Sequence, residues 1–207
     1  DNQKEILISV AAGFTLQPRK IFAFDFSTGK VLKTPLTGAK LIPNIIEDID
    51  NDGYPEILDG TFATKNYADT AISFSDWYSW FFIFDNRLIF KTQPIKISGN
   101  KSAAKISLFK MNGANYIFLY ADIKDTIRDY LTYMVFDNKG KIVHTDSLMR
   151  KENSLVREGE IISLYNKPEG KTYVISCDGT IYTLNKQFKL AKHTFIGEAQ
   201  SLRLIGR

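Results

Sequence analysis

One pattern returns four times along this chain: a strand of aromatic and β-branched residues, a short polar turn, and a second strand. It runs Ile21–Asp25 to Gly29–Thr34, Phe82–Asp85 to Leu88–Thr92, Tyr133–Asp137 to Gly140–Thr145, and Ile181–Asn185 to Phe188–Thr194. Each copy reads as a β-hairpin. The anchors Phe24, Phe84, Phe136 and Leu184 lie 60, 52 and 48 residues apart. A unit repeating at this spacing constrains the fold more than any single motif, because each copy must bury its apolar face against the next.

Further strands surround each hairpin. Glu5–Val10, Glu56–Leu58, Tyr116–Tyr120 and Tyr173–Ser176 lie upstream, and a fourth apolar segment precedes three of these: Lys40–Ile46, Ala104–Phe109 and Glu160–Leu164. No segment keeps a 3.6-residue apolar period; Ala121–Tyr130 comes nearest and is too polar, so it reads as a loop. The expected fold is all-β, a β-propeller of four-stranded antiparallel blades. A β-sandwich is the alternative, but it leaves the single period unexplained. Approximate blades cover 1–39, 40–100, 101–156 and 157–200 of one domain or fragment.

The ends bear on closure. Asp1–Leu7 lines up with Asp52–Leu58, so the chain opens inside a loop that the next repeat carries whole, and Ser201–Gly206 reads as the first strand of a next or closing blade. A closed four-bladed ring and part of a larger propeller both follow from this, and the larger propeller is favoured. The start at Asp1, without methionine, is expected to reflect processing, truncation or residues not included.

Composition narrows the function classes. Hydrophobic residues make up 44% of the 207 and aromatic ones 13%, enough for a sizeable core. The net charge of +4 arises from 27 basic and 23 acidic residues spread without a basic cluster, which argues against a nucleic-acid partner. No stretch approaches the roughly 18 apolar residues of a membrane span. Cys177, the lone cysteine, is expected to be a buried small hydrophobe.

The sharpest motif is Glu47-Asp48-Ile49-Asp50-Asn51-Asp52-Gly53-Tyr54-Pro55-Glu56. Carboxylates at alternate residues can wrap one hard cation, and Gly53 allows the positive-φ turn that brings the backbone round. The assigned ligands are the side chains of Asp48, Asp50, Asp52 and Glu56 with the main-chain oxygen of Tyr54, and the assigned ion is Ca2+. An EF-hand is excluded because the twelfth loop position is Asp59 and the flanks are strand-like. Plain turn carboxylates are the alternative, but three such acids repel unless a positive charge sits between them.

These residues resemble the FG-GAP and VCBS propeller repeats of integrin α-subunit heads and many bacterial surface proteins. The match runs through Asp48, Asp50, Asp52 and Gly53, with Glu56 where the family has aspartate; the hairpins with Phe24-Asp25 and Gly29-Lys30 also look like quinoprotein-type blades. The resemblance implies a propeller that presents loops to a ligand and does not imply catalysis. The equivalent loops of the third and fourth repeats carry Lys110 and Lys167 where Asp50 stands. Those blades are expected to bind no calcium, with the lysine ammonium in the place of the cation.

The only histidines, His144 and His193, hold the position of Lys33 and Lys91 ahead of a threonine, and read as framework residues. No catalytic residue is assigned, since no Ser-His-Asp set, phosphate loop or zinc-type cysteine cluster is present. The longest insertion, Thr64–Trp80, holds both tryptophans. Tyr67, Asp69, Asp76, Trp77, Tyr78 and Trp80 are therefore the candidate ligand-binding residues, with packing of Trp77 and Trp80 as the alternative. Asp122–Tyr130 is a second candidate loop.

The functional expectation is a non-catalytic, calcium-stabilised propeller binding a carbohydrate, peptide or protein at its loops. It would be the extracellular, cell-surface or periplasmic sensory region of a larger protein. Adhesion is a further reading. The alternative class is a propeller-based enzyme acting on glycans, or a quinoprotein-like dehydrogenase.

Overall fold

The computed structural model describes residues 5–13, 16–66, 72–98, 102–124, 129–149, 161–166, 172–176 and 180–195. Within them every regular element is a strand. The elements are β1 (Ile6–Ala11), β2 (Arg19–Phe24), β3 (Val31–Lys33), β4 (Ile45–Glu47), β5 (Glu56–Gly60), β6 (Ser79–Phe84), β7 (Ile95–Ser98), β8 (Ala103–Met111), β9 (Ala114–Lys124), β10 (Asp129–Asp137), β11 (Ile142–Met149), β12 (Ile161–Asn166), β13 (Thr172–Ser176), β14 (Thr180–Leu184) and β15 (Leu190–Phe195).

They form four antiparallel sheets in which neighbours in sequence are neighbours in space. β1–β3 make a three-stranded sheet, and β4–β7, β8–β11 and β12–β15 make three four-stranded ones. The chain divides into two compact units, Asp1–Ile106 and Ser107–Arg207. In the first, Ile21 and Ala23 of β2 pack with Ile57 of β5, Phe82 and Phe84 of β6, and Ala39, Leu41 and Leu88. In the second, Phe109, Met111, Phe118, Tyr120, Tyr133 and Val135 pack with Val174 and Leu184. Neither sheet of a unit could bury its apolar face alone.

The repeated hairpin has a common local cause. In all four copies an Asp or Asn ends the first strand and its side chain accepts backbone N–H groups of the turn. Asp25 accepts from Ser27, Asp85 from Arg87 and Ile89, Asp137 from Lys139 and Lys141, and Asn185 from Gln187 and Lys189. These Asx turns bend the chain before the partner strand returns. In the last three the residue three places on has positive φ: Leu88 (63°), Gly140 (77°) and Phe188 (60°), the left-handed position of a bulged three-residue hairpin loop. For leucine this conformation costs about 1–2 kcal/mol. Leu88 is buried in the core of the first unit, and burying such a side chain returns about 2 kcal/mol. Phe188 packs against Phe109 and Tyr116 in the same way.

Three expectations are corrected. Of Lys40–Ile46 only Ile45 and Ile46 are strand. Pro43 has no N–H, the Ile42 N–H is taken by Asp59 Oδ2 (2.8 Å), and Asn44 Oδ1 accepts the Gly60 N–H (2.8 Å), so side chains replace part of the ladder. The strand expected at Leu88–Thr92 is reduced to a bridge between Phe84 and Phe90 flanked by bonds from Asp85 N–H to Ile89 O and from Lys91 N–H to Ile83 O, and the sheet is completed by β7 instead. Ala121–Tyr130 is not a loop throughout, since β9 and β10 pair as far as Lys124 with Asp129. Cys177 and Ser201–Gly206 lie outside the described residues. No described helix is long and apolar enough to cross a membrane.

Candidate metal centre

The acidic loop joins β4 to β5. It is folded by its own carboxylates: Asp48 accepts the amides of Asp52 (3.1 Å) and Gly53 (2.9 Å), Asp50 accepts Asp52 N–H (3.3 Å), and Asp52 accepts Tyr54 N–H (2.9 Å). The tight reversal needs left-handed backbone at Asn51 (φ 62°) and Gly53 (φ 89°), conformations that asparagine and glycine tolerate best. Glu56, the first residue of β5, is only 1% exposed, and its Oε2 accepts the N–H of buried Ile49 at 3.0 Å.

Folding the loop gathers one oxygen each from Asp48, Asp50 and Glu56 within 4.8 Å of one another. Asp52 stands at the rim, with half its side chain exposed. Tyr54 is exposed in the same loop. These hard oxygen donors suit a hard divalent cation.

A positive charge already lies among them. Lys91 Nζ is 2.7 Å from Asp50 Oδ2, 2.5 Å from Glu56 Oε1 and 3.9 Å from Asp52 Oδ2. Its hydrogen bond holds the Asp50 carboxyl below the usual carboxylate range, against the partial burial that raises it. Burial in turn penalises the ammonium, but its bonds to Asp50 and Glu56 outweigh that and raise the Lys91 pKa. Sequence reasoning missed Lys91 because it grouped this residue with Lys33, His144 and His193 as framework. Lys91 stands outside the regular strands, between β6 and β7, and its N–H bond to Ile83 O holds it against β6, the neighbour of β5.

The equivalent connection in the β8–β11 sheet is different in kind. β8 runs on to Met111 and β9 starts at Ala114, so Asn112 (φ 52°) and Gly113 (φ 80°) form a two-residue turn, with the positive φ pair of a type I′ hairpin. Lys110 is therefore an exposed residue of β8 rather than a loop residue. Lys167, the other lysine expected in the place of a cation, lies outside the described residues.

The Thr64–Trp80 insertion divides its candidates. Asp76 is buried (0% exposed) and its carboxylate is held by Arg19 Nη1 (3.0 Å), Thr64 Oγ1 (2.9 Å) and the Asn66 amide (3.1 Å). Arg19, also buried, donates to Ala12 O, Gly38 O and Asn66 Oδ1. A buried pair satisfied this fully ties the insertion to β2. Trp80 packs too, its indole N–H on Ser75 O (2.8 Å) and its ring edge-on to Phe74. Trp77 and Tyr78 face outward, with Lys65 Nζ 5.3 Å from the Trp77 ring centroid and Lys96 Nζ 3.4 Å from that of Tyr78. Tyr67 and Asp69 lie outside the described residues.

A cavity of about 610 Å³ lies in the first unit, lined by Leu7, Leu32, Ile46, Tyr54, Ile57 and Leu88 among others. One wall is the acidic loop. His144 on β11 reaches Tyr133 Oη at 3.4 Å, while burial raises the tyrosine's pKa; the His193 side chain is outside the described residues. No family model matches the chain, and no curated protein matches it in sequence.

Proposed function

We propose that the chain is a non-catalytic recognition domain of the FG-GAP/VCBS β-propeller type, clamped by calcium at the β4–β5 loop and working outside the cytoplasm. The convergence of Asp48, Asp50 and Glu56 oxygens at one point carries the reading. Calcium is the ion because the donors are all oxygen, and Asp52 and the Tyr54 carbonyl can extend the set towards six or more ligands. Sequential antiparallel meanders, three of them four-stranded, are the form that blades take. Millimolar extracellular calcium would fill a site of modest affinity.

Recognition is assigned to the outward face of the insertion, where Trp77 and Tyr78 offer flat apolar rings beside Lys65 and Lys96. Rings backed by charge suit a carbohydrate, peptide or protein ligand. Asp76 and Trp80 support that face from behind.

Thermal unfolding in calcium and in a chelator tests the metal. A ligand bound only by the folded state stabilises it by mass action, about 2.7 kcal/mol at a hundred times its dissociation constant. Calcium should raise the melting temperature of the native chain and leave Asp50→Ala unmoved. A native chain that melts identically with calcium and chelator would overturn the assignment.

A further inference from the structure

We infer that Lys91 is a built-in competitor for the acidic loop, so that calcium enters only by expelling its ammonium. The inference rests on the loop being a calcium site and adds how that site is controlled. Lys91 Nζ lies 2.5 and 2.7 Å from oxygens of Glu56 and Asp50. A calcium ion bound to the same two oxygens would need about 2.3–2.6 Å to each, which is nearly the same point in space. Two cations cannot share it, since at that separation a dication and an ammonium repel far more strongly than thermal energy.

The geometry also provides for exchange. The Lys91 backbone is pinned, its N–H donating to Ile83 O at 2.8 Å, while four methylenes link it to the charge. The side chain is 23% exposed, so the ammonium has a route to water without moving the sheet. Glu56 keeps its second oxygen on the Ile49 amide, and Asp48 keeps the Asp52 and Gly53 amides, so the cradle is shaped in either state. With lysine bound the loop is neutralised by one charge; with calcium it gains two and Lys91 swings out. The Lys91 side chain thereby becomes the part that responds to calcium.

Calcium titration by isothermal calorimetry of the native chain, Lys91→Met, and Lys91→Met combined with Asp50→Ala tests this. Losing a charge-assisted competitor should tighten calcium binding by about tenfold or more in Lys91→Met, and the added Asp50→Ala should abolish it. Equal or weaker binding by Lys91→Met, with the native chain still binding, would overturn the competition while leaving the calcium site in place. No binding by either would overturn both. Should Lys91→Met fail to fold, acylation of the native protein read by mass spectrometry serves instead. Lys91 should be modified faster when calcium is present, and an unchanged or slower rate would overturn the inference.

Discussion

The first-to-second-strand connections of the β4–β7 and β8–β11 sheets answer the same topological need in opposite ways. One spends eight residues, Asp48–Pro55, and brings the carboxylates of Asp48 and Asp50 together with that of Glu56 at the start of β5, with Asp52 at the rim. The other spends two, Asn112 and Gly113. A two-residue turn has no interior, so it needs neither cation nor ammonium, whereas the long loop gathers negative charge that something must neutralise. Loop length, rather than one lysine in place of one aspartate, separates a cluster of carboxylates from a plain turn.

The comparison can be broken from either side. Glu56→Ala should have the largest effect, about 3 kcal/mol of destabilisation, because it removes a buried acceptor of both Lys91 and Ile49; chemical denaturation would measure it. Replacing Asp48–Pro55 by Asn-Gly should convert one connection into the other. The swapped protein should lose its entire calcium-dependent shift in melting temperature, the roughly 2–3 kcal/mol expected near saturation. Gly113→Ala, which forces a Cβ into φ 80°, should cost about 1 kcal/mol, equally in calcium and in chelator. A calcium-dependent loss there would put metal where the geometry leaves no room.

The smallest effect lies in the hairpins, where charge is present in the first copy and absent from the fourth. Hydrogen bonds from the Ser27 and Thr28 side chains pull the pKa of Asp25 down to about 2, while Asn185 makes the same turn without a charge. A depressed carboxyl stabilises the fold fully above its unfolded pKa of roughly 4 and loses that contribution as pH falls through the folded value. The Asp25 carboxyl should therefore titrate near pH 2 by NMR, and the stability difference between the native chain and Asp25→Asn should shrink only in strong acid. A midpoint near 4 would remove the Asx turn from the account.

What the sequence disclosed depended on the range of the interaction. Asx turns, the Asn112–Gly113 signal and the acidic loop act within a few residues, so local pattern reveals them. The irregular run before β4 and the break after Phe90 depend on Asp59, Asn44 and Lys91 meeting partners from other strands, which no local window contains. Asp76 looked like a recognition acid because it stands among aromatics; only the fold brings Arg19, 57 residues away, to its carboxylate. The same distance hid Lys91, 35 residues from Glu56, as the positive charge that alternate carboxylates require.

The most direct test is anomalous diffraction from crystals grown with calcium, and with terbium as its heavier substitute, at about 10 mM, above the millimolar dissociation constants of extracellular modules. One peak bounded by Asp48, Asp50 and Glu56, no peak at Asn112–Gly113, and Lys91 turned out to solvent is the predicted result. Crystals with no peak at the loop and Lys91 still bridging Asp50 and Glu56 would contradict it, leaving the loop a lysine-held turn and no metal site.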